Sequence, residues 1–312
     1  MTRLPSRRLR TRGAAVLATL ALTSLAACGG DSEDVLSDGN DDGDAGQSLV
    51  VGSANFPESA LLAEIYAAAL EEAGVDTDTT LNIGAREAYL AGLEDGSIDL
   101  IPEYTGNLRL YYNPDATASD PDGVYEELVA ALPEELTVLD FAEAQDKDAV
   151  VVTAATAEEY SLTSIGDLAD VAGDLTLGGP PEWKTRQTGV PGLKDVYGVE
   201  FGDFVELDAG GPLTLDALLK GRIDAGNLFS TDPNLAAEDL VVLEDPDSLF
   251  AAQNIVPLLR TDAVTDTVTT TLNAVSAALD TATLGALVSQ VVIDKQDPED
   301  VAEQFLTEAG LG

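Results

Sequence analysis

The chain has 312 residues, enough for two α/β lobes of ordinary size, since single hydrophobic cores stop growing at roughly 250–300 residues. Its 57 acidic residues outnumber 15 basic ones, and a surface of this charge repels nucleic acid and anionic lipid, so we predict no nucleic-acid partner. The chain has no histidine and one cysteine, which excludes Ser-His and Cys-His nucleophile pairs and zinc sites of imidazole or thiolate ligands, so we predict no catalytic residues, no cofactor and no metal site.

The N-terminus looks like a bacterial lipoprotein signal. A basic stretch ends at Arg12, residues 14–27 are apolar, and the chain's single cysteine, Cys28, directly follows Leu-Ala-Ala. An apolar run of about 14 residues is shorter than the roughly 20 that a membrane-spanning helix needs. We predict that residues 1–27 are a signal peptide and that Cys28 is acylated, which anchors an extracytoplasmic protein to the cell membrane. An ordinary secretory signal, or twin-arginine export through Arg7-Arg8, is the alternative.

Residues 28–47 have a composition of their own. After the cysteine they are mostly glycine, aspartate and serine, with few apolar side chains. Such a segment cannot bury a core, and its charges repel one another. We predict a flexible acidic tether between the lipid and the folded part.

The folded part begins with alternating strands and helices. Strand patterns cover residues 49–53, 79–83 and 98–101, and helix patterns cover residues 59–72 and 85–95. This alternation is typical of an α/β fold with a mainly parallel sheet flanked by helices.

A second lobe is expected to begin at Asp148, where residues 149–152 form a strand that crosses from the first lobe. The apolar strand at residues 253–259 is the expected return crossing. Two crossings make a two-strand hinge. The predicted first lobe therefore contains residues 48–147 and 256–312, and the second lobe contains residues 148–255.

Further elements are predicted inside the second lobe and after it. Asp167 opens a short helix, and residues 175–177 form a strand. The chain ends in helices at residues 264–279 and 284–293 and in a last helix that begins at Pro298 and ends at Gly310. We expect these final helices to pack on the first lobe.

One pattern occurs twice, at a constant offset of 125 residues. The first copy is Leu90, Leu93, Gly96, Ile98, Asp99 and Tyr104, and the second is Leu215, Leu218, Gly221, Ile223, Asp224 and Phe229. Ligands of open α/β sheets bind outside the carboxyl ends of strands, so two related lobes would place Tyr104 and Phe229 on facing walls of one cleft. The alternative is chance recurrence of a common helix-to-strand connection with a C-terminal glycine.

The loop at residues 178–193 holds the chain's single tryptophan, Trp183, together with Lys184 and Arg186. A cation beside an aromatic ring on a loop between strand and helix suits a ligand with a carboxylate, which Arg186 could take in a bidentate fork. The alternative is that both bases neutralise nearby acids while Trp183 fills the lobe.

Together these segments resemble the substrate-binding proteins of osmoprotectant ABC transporters, which bind glycine betaine, choline, carnitine and similar compounds. The resemblance covers residues 49–311 and rests on the segments 52–56, 98–106, 181–193, 229–232 and 297–306. It implies a two-lobed type II periplasmic-binding fold that holds a quaternary ammonium group in an aromatic box and serves an ABC permease and ATPase as a monomer without enzymatic activity. The implied ligand-binding residues are Ser53, Asn55, Tyr104, Thr105, Trp183, Arg186, Phe229, Ser230 and Thr231.

The chain departs from the family pattern at three positions. Ala54 stands where lysine is common, Asp148 stands near a frequent tyrosine, and Val190 replaces another frequent aromatic residue. The resemblance therefore implies a thinner box, which could suit a different ammonium compound or a bulkier solute. Two further hypotheses stay open, a ligand-sensing lipoprotein of the same fold without transport and an enzyme on a two-lobed scaffold.

Overall fold

The computed structural model describes residues 48–312. The predicted signal peptide, Cys28 and the predicted tether lie outside these residues. The strands are β1 (Leu49–Gly52), β2 (Thr77–Thr80), β3 (Leu100–Tyr104), β4 (Leu136–Val138), β5 (Asp148–Thr153), β6 (Thr176–Gly179), β7 (Asp203–Glu206), β8 (Ala225–Phe229), β9 (Leu240–Val242) and β10 (Ile255–Arg260).

Helices fill most of the chain between these strands. They are α1 (Pro57–Glu72), α2 (Arg86–Asp95), α3 (Thr105–Tyr112), α4 (Pro121–Ala131), α5 (Ala154–Tyr160), α6 (Val190–Tyr197), α7 (Pro212–Leu219), α8 (Asn234–Ala237), α9 (Asp266–Ala278), α10 (Thr281–Val292) and α11 (Pro298–Ala309). Short 3-10 helices lie at 165–170, 172–174, 181–184 and 261–263.

The strands form two five-stranded sheets of equivalent topology, one in each lobe. The first has the order β2-β1-β3-β10-β4 and the second the order β7-β6-β8-β5-β9. In the first, β1 is parallel to β2 and β3, and β10 is antiparallel to β3 and β4. In the second, β6 is parallel to β7 and β8, and β5 is antiparallel to β8 and β9. The two-lobed α/β prediction is confirmed.

The sheets are mixed, whereas the sequence predicted mainly parallel ones. The antiparallel pairings belong to β5 and β10, the strands that enter each lobe after the chain has crossed from the other. A strand that returns across a hinge enters its sheet from the cleft side. It is therefore antiparallel to the neighbouring strands, whose carboxyl ends point toward the cleft.

The sequence repeat corresponds to equivalent positions in the two sheets. The amide of Val50 donates to Asp99 Oδ2 over 2.9 Å, and the amide of Thr176 donates to Asp224 Oδ2 over 2.8 Å. The glycines that precede these aspartates both have left-handed backbone, with φ of 77° and 62°. Each copy thus ends a helix on a glycine and ties the next strand to its neighbour by an aspartate. Shared geometry of this kind favours related lobes over chance recurrence.

The first lobe is held together around α1, which is buried along most of its length. Leu61, Leu62 and Ile65 are fully buried and pack in one cluster with Leu272 and Phe305 of the C-terminal helices. Complete burial of one such side chain contributes about 1.5–3 kcal/mol. The C-terminal helices therefore pack against α1.

Many element bounds differ from the predictions by one to three residues, and two of the differences have a local structural cause. The strand expected at residues 79–83 lies at Thr77–Thr80, because Asn82 has left-handed backbone with φ 57° and cannot continue a strand. The helix expected at Asp167 is a 3-10 helix whose capping box joins Asp167 to Ser164. No single helix within residues 48–312 is long and apolar enough to cross a membrane, and α9 with α10 meets that test as a pair bent by 92°.

The crossings between the lobes run side by side. Gln145 forms an antiparallel bridge with Asn254, and the amide of Asp146 donates to the carbonyl oxygen of Gln253 over 3.1 Å. Thr105 Oγ1, at the start of α3, accepts from the amide of Asn254 over 3.1 Å. The two crossing segments are therefore bonded to each other and to the end of β3.

Candidate ligand-binding site

A cavity of about 60 Å³ lies between the lobes. Its walls come from the segments that follow β1 and β6 and from the last residues of β3 and β8, so it lies at the carboxyl ends of strands in both sheets. Ligands of open α/β sheets bind at such ends. The equivalent topology of the two lobes thus produces one site with contributions from both.

Aromatic rings from the two lobes meet at this cavity. The ring centroid of Phe56 lies 6.0 Å from that of Tyr104 and 5.0 Å from that of Phe229. Tyr104 and Phe229, the last residues of β3 and β8, both line the cavity, as their places in the sequence repeat predicted. Phe56 was absent from the predicted ligand-binding residues, although it belongs to one segment of the family resemblance. It joins the rings of the two lobes into one aromatic surface.

Trp183 forms part of the cavity wall and part of the second lobe's core. Its ring stacks on Phe250 with centroids 6.3 Å apart and an interplanar angle of 19°, and the side chain is 2% exposed. The alternative that Trp183 fills the lobe therefore describes the structure, and its contact with a ligand stays a prediction. The core packing fixes the ring where it lines the cavity.

Arg186 lines the cavity and pairs with an acid of the other lobe. Its Nη2 lies 3.0 Å from Glu87 Oε2, and its Nη1 lies 4.0 Å from Glu182 Oε1. The side chain is 25% exposed. The alternative that Arg186 neutralises nearby acids therefore describes the structure, in which the guanidinium already holds a carboxylate, that of Glu87.

A second arginine, Arg86, lines the cavity and was missing from the predicted set. Its Nε donates to Glu103 Oε1 over 2.7 Å and its Nη2 to Oε2 over 2.8 Å, while Tyr89 Oη donates to the same carboxylate over 2.6 Å. Such a bidentate pair fixes the guanidinium plane. Its sequence signal was weak, since an arginine at the start of a helix has no special pattern.

Asp148 is buried where the two lobes meet. Asn107 of α3 donates its Nδ2 to Asp148 Oδ2 over 3.0 Å, and Asn227 of β8 donates its Nδ2 to Oδ1 over 2.9 Å. Burial raises the pKa of Asp148, and these two hydrogen bonds oppose the shift. All three residues line the cavity. Asp148, which the sequence marks as a departure from the family, is thus built into the site.

Another carboxyl group, Glu58, joins the lobes beside the aromatic surface. It lies in the first turn of α1, where the helix dipole favours a negative charge, and it is 3% exposed. Tyr104 Oη donates to its Oε1 over 2.7 Å, and Thr231 Oγ1 of the second lobe donates to its Oε2. Burial raises the pKa of Glu58, and burial together with the charge of Glu58 raises the pKa of Asp146.

The structure separates the predicted ligand-binding residues into two groups. Asn55, Tyr104, Trp183, Arg186 and Phe229 line the cavity. The others make structural hydrogen bonds beside it. Ser53 Oγ accepts from the amide of Asn82, Thr105 bonds Asn254, and Ser230 and Thr231 bond Asp146. Ligand contact by any of these residues stays a prediction.

Charges of both signs surround the aromatic surface. Asp146, Asp148 and Glu182 line the cavity together with Arg86 and Arg186. Such a set can hold a small molecule that carries a cation at one end and an anion at the other. Within residues 48–312, no three histidine, cysteine, aspartate or glutamate side chains are grouped to hold a metal ion.

Comparison with known proteins agrees with this geometry. Residues 47–308 match the model of the substrate binding domain of ABC-type glycine betaine transport systems. The glycine-betaine-binding protein of Pseudomonas aeruginosa is 29% identical over 280 residues, which cover 85% of this chain and 89% of that protein. The glycine betaine-binding protein YehZ of Escherichia coli is 28% identical over 280 residues, covering 85% of this chain and 92% of that protein.

The fold is shared with solved structures. A crystal structure of a glycine betaine/carnitine/choline ABC transporter matches 85% of this chain and 99% of its own length, with a TM-score of 0.66 at 24% identity. The type II periplasmic-binding fold and the resemblance read from the sequence are confirmed. The chain therefore belongs to the family of substrate-binding domains of ABC-type glycine betaine transport systems.

Proposed function

We propose that the protein captures a small quaternary-ammonium solute, such as glycine betaine, choline or carnitine, between its lobes and delivers it to the permease of an ABC importer. The observation that carries this proposal is the aromatic surface of Phe56, Tyr104 and Phe229, which both lobes build at one cavity. Quaternary ammonium groups bind to aromatic faces with about 0.5–2 kcal/mol per ring. The names of the relatives support the same solute class.

The two ends of such a solute have different partners in this proposal. The ammonium group lies against the aromatic surface, with the acids of the cavity nearby. Where the solute has a carboxylate, that group replaces the carboxylate of Glu87 at the guanidinium of Arg186. The guanidinium can donate hydrogen bonds to a carboxylate of the solute as it does to that of Glu87. No catalytic group takes part, because the protein binds and releases the solute unchanged.

The lobes are expected to open and close about the paired crossings. In this structure they touch through the Phe56 and Phe229 rings and through the Arg186–Glu87 pair. We assign residues 48–147 and 256–312 to the first lobe and residues 148–255 to the second. In support, β5 begins at Asp148, and β10 begins at Ile255, one residue before the second boundary. Opening would break the contacts between lobes and admit the solute.

The proposed place of action is outside the cytoplasm, where the protein acts as a monomer on a lipid at Cys28. The apolar N-terminal run that stops at this cysteine supports the anchor, and the acidic composition of residues 28–47 supports a tether to the membrane. Delivery to a permease requires this location.

Thermal unfolding of the full chain with a panel of solutes tests the function. Glycine betaine, choline and carnitine are compared with maltose and L-arginine at equal concentration. A bound solute stabilises the protein by about 2.7 kcal/mol at a hundredfold excess over its Kd. Stabilisation by at least one alkylated ammonium compound and by neither control is expected. Stabilisation by a control alone overturns the proposal.

A further inference from the structure

Asp148 lies in the cavity wall between two asparagine side chains. Asp148 is 7% exposed there, and its two carboxylate oxygens are occupied by the side-chain amides of Asn107 and Asn227. One asparagine belongs to each lobe, so the group forms where the lobes meet. The carboxylate fixes both amide orientations, because turning either amide over would bring its oxygen against a carboxylate oxygen.

Each amide keeps its oxygen on the other side, and that oxygen is unsatisfied. Asn107 Oδ1 and Asn227 Oδ1 are both buried without a hydrogen-bond donor among residues 48–312. A buried acceptor without a donor costs about 1–3 kcal/mol. Two such oxygens beside one carboxylate, in residues that line a ligand cavity, are unusual for packing alone, since buried polar side chains nearly always have partners.

We infer that Asp148, Asn107 and Asn227 form a recognition site for an O–H or N–H donor of the bound solute. The solute is then an alkylated ammonium compound that carries a hydroxyl group, or an N–H group on its cationic head. This inference rests on the proposed function and narrows its solute class. Glycine betaine has no hydrogen-bond donor and leaves both amide oxygens unsatisfied, whereas carnitine, choline and tertiary ammonium compounds each carry one.

Matched pairs of solutes test the inference by calorimetry on the full chain. L-Carnitine and γ-butyrobetaine differ by one hydroxyl group, and N,N-dimethylglycine and glycine betaine differ by one N–H in place of a methyl group. A site built to bond a donor discriminates strongly against the analogue that lacks it. We expect the donor-bearing member of at least one pair to bind tenfold or more tightly than its partner, and the pair that shows this identifies the donor.

Variants test which residues cause the preference for the donor-bearing solute of each pair. Asn107→Ala, at a half-buried position, should reduce the preference to threefold or less. Asp148→Asn should do the same, because its side-chain amide accepts from one asparagine only and its nitrogen can donate to the oxygen of the other. Asn113→Ala removes an asparagine just after α3 that does not line this cavity, and it should leave the preference unchanged. Equal affinity within both pairs overturns the inference while leaving the proposed function intact. Absence of binding by all four compounds overturns the inference, and it overturns the proposed function as well when choline also fails to bind.

Discussion

Glu58 of the first lobe accepts a hydrogen bond from Thr231 of the second lobe, with 2.5 Å between Oε2 and Oγ1. The same carboxyl group accepts from Tyr104 and lies beside Asp146, which in turn accepts from the Thr231 amide over 3.0 Å. Two buried carboxyl groups therefore share one network at the junction of the lobes. Burial raises the pKa of both groups, and the charge of Glu58 raises that of Asp146 further, so the pair ionises less readily in the folded chain than in the unfolded chain.

This network predicts how stability depends on pH. Burial raises the pKa of Glu58 above 4.5 and that of Asp146 well above 3.8, so the folded chain keeps a proton that the unfolded chain has lost. The contribution of this pair to the free energy of unfolding is therefore fully present below about pH 4. It is lost as the pH rises through the raised pKa values of the two groups. Glu58→Gln mimics the protonated acid and removes this loss. Its melting temperature should exceed that of wild type by about 3–6 °C at pH 8 and by nothing at pH 4.5.

The control for this prediction removes one negative charge elsewhere. Glu94→Gln replaces an exposed acid on α2 and makes the net charge less negative by one without touching the network. It should give a small shift that does not grow between pH 4.5 and pH 8. An identical pH profile for wild type and Glu58→Gln in thermal unfolding would show that the pair carries no retained proton.

Phe229→Leu tests the aromatic surface, since leucine keeps apolar bulk but removes the π face. We expect affinity for choline to fall about 3- to 30-fold, which corresponds to about 0.5–2 kcal/mol per ring. Phe229→Tyr should keep wild-type affinity within about threefold. Titration calorimetry measures each Kd.

Phe141→Leu serves as the matched control for the aromatic surface. Its ring packs on Tyr125 with centroids 5.1 Å apart, and Phe141 is not among the residues that line the cavity. Wild-type affinity is expected for this variant. Equal affinity for choline in wild type and Phe229→Leu would mean that the ammonium group binds elsewhere.

Arg186 and Glu87 give a prediction about the solute's carboxylate. Because Arg186 now holds Glu87, a bound carboxylate must compete with that side chain. Glu87→Gln should therefore raise affinity for glycine betaine several-fold, and Arg186→Ala should lower it at least tenfold, while choline, which has no carboxylate, changes less than threefold in both variants. Glu200→Gln, which breaks an exposed pair with Lys194 in the second lobe, is the control. Equal losses for glycine betaine and choline in Arg186→Ala would assign the arginine to lobe closure alone.

The sequence predicted those parts of the site that local patterns encode. Tyr104 and Phe229 were found because each ends a strand that follows the same helix, glycine and aspartate, and the structure ties both strands by the same aspartate bond. Trp183 and Arg186 were found because bases and tryptophan are rare in this chain. Such signals lie within a few residues of one another.

What the sequence missed depends on contacts between distant segments. Glu87 lies 99 residues before its partner Arg186, and Asn107 lies 41 residues before Asp148. Neither pairing has a local pattern, because each forms only when the two lobes meet. The direction of β10 was missed for a related reason, since it depends on the hinge that precedes the strand.

The last prediction concerns membrane attachment through Cys28. The apolar run before it ends at this residue, and no other cysteine is present in the chain. The acidic chain is repelled by anionic lipid, so acyl chains on this thiol would supply the attachment, at about 0.8 kcal/mol for each buried methylene. Cys28→Ser should move the protein from the membrane fraction to the soluble fraction, and Ser32→Ala in the predicted tether should leave it with membranes. Fractionation is read together with the mass of the N-terminus, because an uncleaved signal peptide could also hold the chain. Membrane attachment of a Cys28→Ser chain whose first 27 residues have been removed would exclude the lipid anchor.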